Sequence, residues 1–130
     1  MSRWFLLFCA AVYLGFGAWV LASPATGLAY MAVALDHVNA LSELRGTHGG
    51  NNVLVGIFLV AAATRVPWRR AGLGLVALLN GGYVTGRLVA AAADGLPERA
   101  ILLAWGFESL LVVAALWLLA REPGPGQARA

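Results

Sequence analysis

The sequence predicts an all-α membrane protein: an antiparallel four-helix transmembrane bundle with a short interfacial helix between spans one and two. Three observations carry this reading. The 130 residues are 61% hydrophobic and only 12% charged, whereas about a quarter of a soluble globular domain is charged. Four apolar runs reach or approach the roughly 20 residues that cross about 30 Å of hydrocarbon. The links RVPWRR and DGLPER are short, so the spans they join must be antiparallel neighbours.

The spans are expected at about 4–22, 46–64, 71–92 and 100–120, a single bundle over residues 1–120. The first run also has features of a secretory leader: Arg3, then a long apolar stretch, then small residues before Ser23. Its apolar core exceeds the about 7 to 15 residues of a leader and holds Trp4 and Trp19, which favours a retained span. Cys9 lies inside it as the single cysteine and has no internal disulfide partner. After it, Ser23-Pro24 suits a helix start, since serine caps and proline fits the first helical position. Asp36 can cap the short interfacial helix, whose Val38, Leu41 and Leu44 recur every third residue and form an apolar underside. Trp4, Tyr30 and Trp68 are expected as interface anchors. Asp94-Gly95 with Pro97 makes the last turn. The segment 121–130, REPGPGQARA, has too little apolar surface to pack and is expected to be a disordered cytoplasmic tail.

All nine basic residues are arginine, for a net charge of +3. Arg3, Arg65, Arg69, Arg70, Arg121 and Arg129 fall on one side of the expected bundle, and Arg45 and Arg99 on the other. The positive-inside rule then puts both termini in the cytoplasm. High alanine and glycine content beside an all-arginine complement hints at a GC-rich bacterial genome and no more; the expected location is the bacterial cytoplasmic membrane, crossed several times. Arginines that punctuate apolar runs do not form a nucleic-acid face. Nucleotide binding is disfavoured because the chain has no phosphate-loop pattern.

The polar residues inside the apolar runs are the candidates for function. At about 100° per residue, Arg45, His48 and Asn52 share one face of the second span, with Glu43 just before it. Asn80, Tyr83, Arg87 and Asp94 share a face of the third. Glu108 lies inside the fourth, where an ionised carboxylate costs about 2.5 kcal/mol or more unless it is paired or faces a polar cavity. Folding the last two spans about DGLPER brings Arg87 within a turn of Glu108, so an ion pair between them is expected. These groups come from three helices but belong to the outer half of the bundle, with Glu108 as the expected floor of the cluster. Gly46/Gly50 and Gly82/Gly86 have the spacing that lets helices approach closely in lipid and are expected as helix-packing faces. No HxxxH or CxxC spacing points to a metal, and no motif implies a cofactor.

The segments ELRGTHGG, NGGYVTGRLVAAAADGLP and FESLL resemble an uncharacterised family of small four-span bacterial membrane proteins, a domain of unknown function. Its pattern is E-L-R-x-x-x-G-G opening the second span, G-R then D-G marking the third, and a glutamate in the fourth. The resemblance runs over about 24–119. It implies that Glu43, Arg45, Gly49, Gly50, Gly86, Arg87, Asp94, Gly95 and Glu108 are the characteristic positions; His48 stands where tyrosine is common. The family supplies a fold and no activity.

Three function classes follow. In the first, Glu43, Arg45, His48, Asn52, Asn80, Arg87, Asp94 and Glu108 receive a lipid headgroup or small amphiphile, for binding or transport, with the arginines meeting an anionic group. In the second, the protein is an accessory or assembly subunit of a larger membrane complex, or a homo-oligomer, and the Arg87–Glu108 pair is structural. In the third, an intramembrane isomerase uses Glu108 as acid or base with His48 assisting. A ligand pocket would favour the first, and a closed, fully paired core the second.

Overall fold

The computed structural model describes residues 1–32 and 35–123, apart from the Tyr30 side chain. The expected disordered tail falls outside the described residues from 124 onward. Among the described residues the regular structure is helical, with no strand. The α-helices are α1 (Ser2–Ala22), α2 (Pro24–Gly27), α3 (Val38–Leu44), α4 (Asn51–Thr64), α5 (Arg69–Ala93) and α6 (Arg99–Arg121). Single 3-10 turns occupy Ala29–Met31 and Val66–Trp68, and a π-helical turn spans Arg45–Gly50. Among the described residues, three stretches are long and apolar enough to cross a membrane: Ser2–Ala22, Val66–Ala93 and Arg99–Arg121.

The second expected span departs from a plain α-helix. Its first turn, RGTHGG, is π-helical, and the α-helix that follows has 14 residues. Three glycines weaken the α-helical preference here. The Thr47 hydroxyl also donates to the Glu43 carbonyl, 2.8 Å away, a back-bond that bends helices. The Asn51 N–H reaches back to the Gly46 carbonyl, five residues earlier. Because Leu44, Arg45, Gly50 and Asn51 all keep helical dihedrals, α3 runs on through this turn into α4. The expected interfacial helix is thus the leading part of the same helical run. Its cap is His37 rather than Asp36, with the ring Nδ1 accepting from the Asn39 N–H at 3.1 Å.

The core forms where apolar faces recur with helical period. α1 buries Leu6, Cys9, Ala10, Tyr13, Gly17 and Val20, and α4 buries Asn52, Val55, Gly56, Leu59, Ala62 and Ala63. These two faces make the most extensive contact in the molecule, followed by α5 against α6. Glycine permits the approach: a Cβ on Gly17 would stand 2.8 Å from the Gly49 carbonyl oxygen and from the Val53 nitrogen, and one on Gly56 would stand 2.5 Å from Leu14 Cγ. The expected packing glycines behave differently. A Cβ on Gly46, Gly82 or Gly86 would meet nothing within 4 Å, and one on Gly50 only the Arg45 carbonyl at 3.8 Å. A motif spacing fixes which residues share a stripe, not which stripe faces a neighbour; here Gly17, Gly49, Gly56 and Gly72 hold the close contacts.

Burial on α5 is confined to its first half (Gly72, Leu73, Val76, Asn80) and on α6 to its second half (Leu111, Ala115, Leu118). The core therefore gathers toward one end, where the start of α1, the start of α5 and the end of α6 meet. There the Ser2 hydroxyl donates to the Glu122 carboxylate. Arg70 Nη1 donates to the Leu119 and Glu122 carbonyls at 3.1 and 2.6 Å, satisfying groups that the end of α6 leaves without helical partners. Arg69 lies 3.9 Å from Glu122. Arg3, Arg65 and Arg121 stack over Trp4, Trp68 and Trp117. Arg121 and Glu122, expected at the head of the disordered tail, are the last residue and the C-cap of α6.

Candidate functional site

Beyond the core, toward the other end, a pocket of about 450 Å³ opens. α1 contributes Val12, Tyr13 and Phe16, the π turn and α4 contribute His48 and Asn52, and α5 and α6 contribute the remaining polar groups with Phe107 and Leu111. Of the eight polar residues singled out in the sequence, His48, Asn52, Asn80, Arg87 and Glu108 line it.

Arg87 and Glu108 face each other as parallel forks. Arg87 Nε donates to Glu108 Oε2 at 2.7 Å and Nη2 to Oε1 at 2.8 Å, the bidentate arrangement that gives charge-assisted bonds both strength and direction. Their side chains are 19% and 14% exposed, so the pair is partly buried. Both carboxylate oxygens are engaged, which leaves Glu108 poorly placed to transfer a proton.

The most buried polar groups lie at the base, where pocket and core share Tyr13 and Leu111. Asn80, 3% exposed, donates from Nδ2 to the Val76 carbonyl at 2.8 Å and to the Tyr13 hydroxyl at 3.0 Å. Asn52, 4% exposed, donates from Nδ2 to the His48 carbonyl at 2.6 Å. The base is thus Tyr13 and Asn80, with Glu108 on the wall; this corrects the expected floor. Thr47 Oγ1 lies 2.9 Å from His48 Nδ1. Since the single Thr47 proton already goes to the Glu43 carbonyl, Nδ1 is the donor in that contact, and the neutral ring keeps Nε2 as an acceptor.

Three expected members lie elsewhere. Arg45 is exposed, and its Nε donates to the Leu21 carbonyl at 3.2 Å. It serves the end of α1, where basic side chains commonly satisfy the last carbonyls. Uniform 100° steps put Arg45 and His48 on one face, but a π turn advances less per residue, and the two part. Glu43 is exposed on α3. Asp94 is exposed at the end of α5, where Gly95 takes a φ of 97° to leave the helix.

Tyr13 joins these polar groups in the pocket without having been among the expected members. Its signal is a phenol amid the apolar first run, four residues from Cys9 and four from Gly17, on the face that packs. Phe16 and Phe107 carried no signal separating pocket wall from lipid-facing surface. Gly82 and Gly86 also line the pocket, so their missing side chains make room there. Among the described residues, no group of three or more His, Cys, Asp or Glu side chains is placed to hold a metal ion.

Residues 1–119 match the family described as Domain of unknown function (DUF4345), and the chain belongs to that family. No curated protein and no solved structure matches it.

Proposed function

We propose that this DUF4345 member is an integral membrane protein that binds or transports a lipid headgroup or small amphiphile in the pocket between its helices. The observation that carries the reading is that His48, Asn52, Asn80, Arg87 and Glu108 surround one void together with Val12, Phe16, Phe107 and Leu111. Few convergent polar groups in a mostly apolar concavity are the usual make-up of a small-molecule site.

In this reading α1, the run through the π turn and α4, α5 and α6 cross a bacterial cytoplasmic membrane as four antiparallel spans. The meeting of Ser2, Arg70 and Glu122 at one end supports the alternation. Arg3, Arg65 and Arg121, each against a tryptophan, give that end the basic and aromatic character of a cytoplasmic interface. Both termini then lie in the cytoplasm and the pocket in the outer half. Arg45, engaged at α1, drops out of the ligand set. The accessory-subunit reading would use the exposed outer half of α5 and treat Arg87–Glu108 as structural. The isomerase reading loses support from the fully engaged Glu108 carboxylate.

The test is native mass spectrometry of detergent-extracted protein, wild type beside Glu108→Gln and Arg87→Gln. A retained molecule that is lost in both variants, while both remain folded, is the expected result. Absence of any retained molecule, with both variants unfolded, would transfer Arg87 and Glu108 to a structural role and favour the subunit reading.

A further inference from the structure

We infer that the pocket selects an uncharged amphiphile bearing a hydroxyl group, such as a long-chain alcohol, over an anionic one; this rests on the pocket reading above. Charge balance is the first reason. Arg87 is matched by Glu108 through two hydrogen bonds. An incoming phosphate or carboxylate would have to displace that carboxylate or stand beside it, and two like charges in a low-dielectric site repel strongly.

The second reason is the polarity of the atoms left over. A backbone carbonyl can only accept, so the bonds to Val76 and His48 fix Nδ2 of Asn80 and Asn52 as the donors. Neither Oδ1 has a hydrogen-bond partner among the described residues, neither is sealed from solvent, and both residues line the pocket. His48 Nε2 is a further acceptor. The Tyr13 oxygen accepts from Asn80, which leaves its own proton to donate. These four residues therefore offer several acceptors and, from Tyr13, one phenolic donor. An anion has no proton for the acceptors, and an ammonium has no lone pair for Tyr13 and faces Arg87. A hydroxyl both donates to an Asn Oδ1 and accepts from Tyr13, while Phe16, Phe107 and Leu111 take the chain.

The experiment compares 1-dodecanol, dodecyl phosphate and dodecylammonium by native mass spectrometry, with protein held in an amine-oxide detergent that itself carries no hydroxyl. Wild type, Tyr13→Phe and Asn80→Leu are measured, with thermal melting as the control for folding. Dodecanol is expected to bind most tightly, and the conservative Tyr13→Phe to weaken it roughly fivefold to tenfold, the loss of one buried hydrogen bond. Asn80→Leu is expected to weaken it at least as much wherever the variant melts like wild type. Dodecyl phosphate or dodecylammonium binding as tightly as dodecanol would overturn the hydroxyl selection and leave the pocket standing. Dodecanol binding unchanged by Tyr13→Phe would overturn the assigned base. If no probe binds folded wild-type protein, the pocket reading falls with the inference.

Discussion

Arg87 and Glu108 show how much a single contact depends on its surroundings. Each would be costly alone among apolar helices, and each satisfies the other through two short bonds. Replacing either alone by glutamine leaves an uncompensated partner and is expected to destabilise the protein by about 1–3 kcal/mol. The double variant should lose less than the sum, by about 0.5 kcal/mol or more, in a double-mutant cycle of detergent unfolding; strict additivity would mean the pair contributes no coupling. Arg45 is the counter-example among charged residues. Exposed and bonded to the Leu21 carbonyl, it is expected to cost less than about 1 kcal/mol on change to alanine, with ligand retention intact. The residue scale also marks where sequence reading stops. Register across the short link brings Arg87 to Glu108, because a tight hairpin leaves little freedom. Tyr13 shows in the sequence only as a phenol on the packing face; its role depends on Asn80, 67 residues away in the chain.

At the scale of elements, glycine sorts into two kinds. Gly17 lets α1 lie on α4 with a main-chain oxygen and a main-chain nitrogen both 2.8 Å from where its Cβ would stand. Backbone atoms cannot step aside as a side-chain end can, so Gly17→Ala should destabilise by about 1–3 kcal/mol. Gly82→Ala, with nothing within 4 Å, should leave stability within about 0.5 kcal/mol of wild type. Since Gly82 lines the pocket, the same change should reduce ligand retention. Equal melting losses for the two variants would refute this division. Periodicity revealed the small-residue stripes, but helix placement decided which of them touch. The π turn was hidden for a related reason: it arises from competition among three glycines, the Thr47 back-bond and the helix on either side, and no spacing rule records such a contest.

For the whole molecule, the proposed topology makes a chemical prediction. Cys9 is fully buried, so wild type should be silent to a membrane-impermeant maleimide on intact cells. Asp36→Cys and Leu96→Cys should label from outside, and Pro67→Cys only after the membrane is opened. Labelling of position 67 in intact cells, with 36 and 96 protected, would invert the orientation. Without residues 1–22 the fold would lose Leu6, Cys9 and Ala10 from the core and Tyr13 from the pocket base. The all-helical class and three of the long apolar helices were legible because bilayer thickness imposes its length on sequence. The void was not, because it exists only where several elements fail to fill the space between them.

The one-sided burial of α5 and α6 has a consequence in time. Each is a continuous helix, yet only the part near Ser2, Arg70 and Glu122 is packed on the core. Main-chain amides in 72–80 and 111–118 should therefore exchange with deuterium far more slowly than those in 82–93 and 99–107, since local opening is easiest where few apolar contacts must break. A bound amphiphile would slow chiefly the second group, so that one helix would keep two clocks and the ligand would reset mainly the faster.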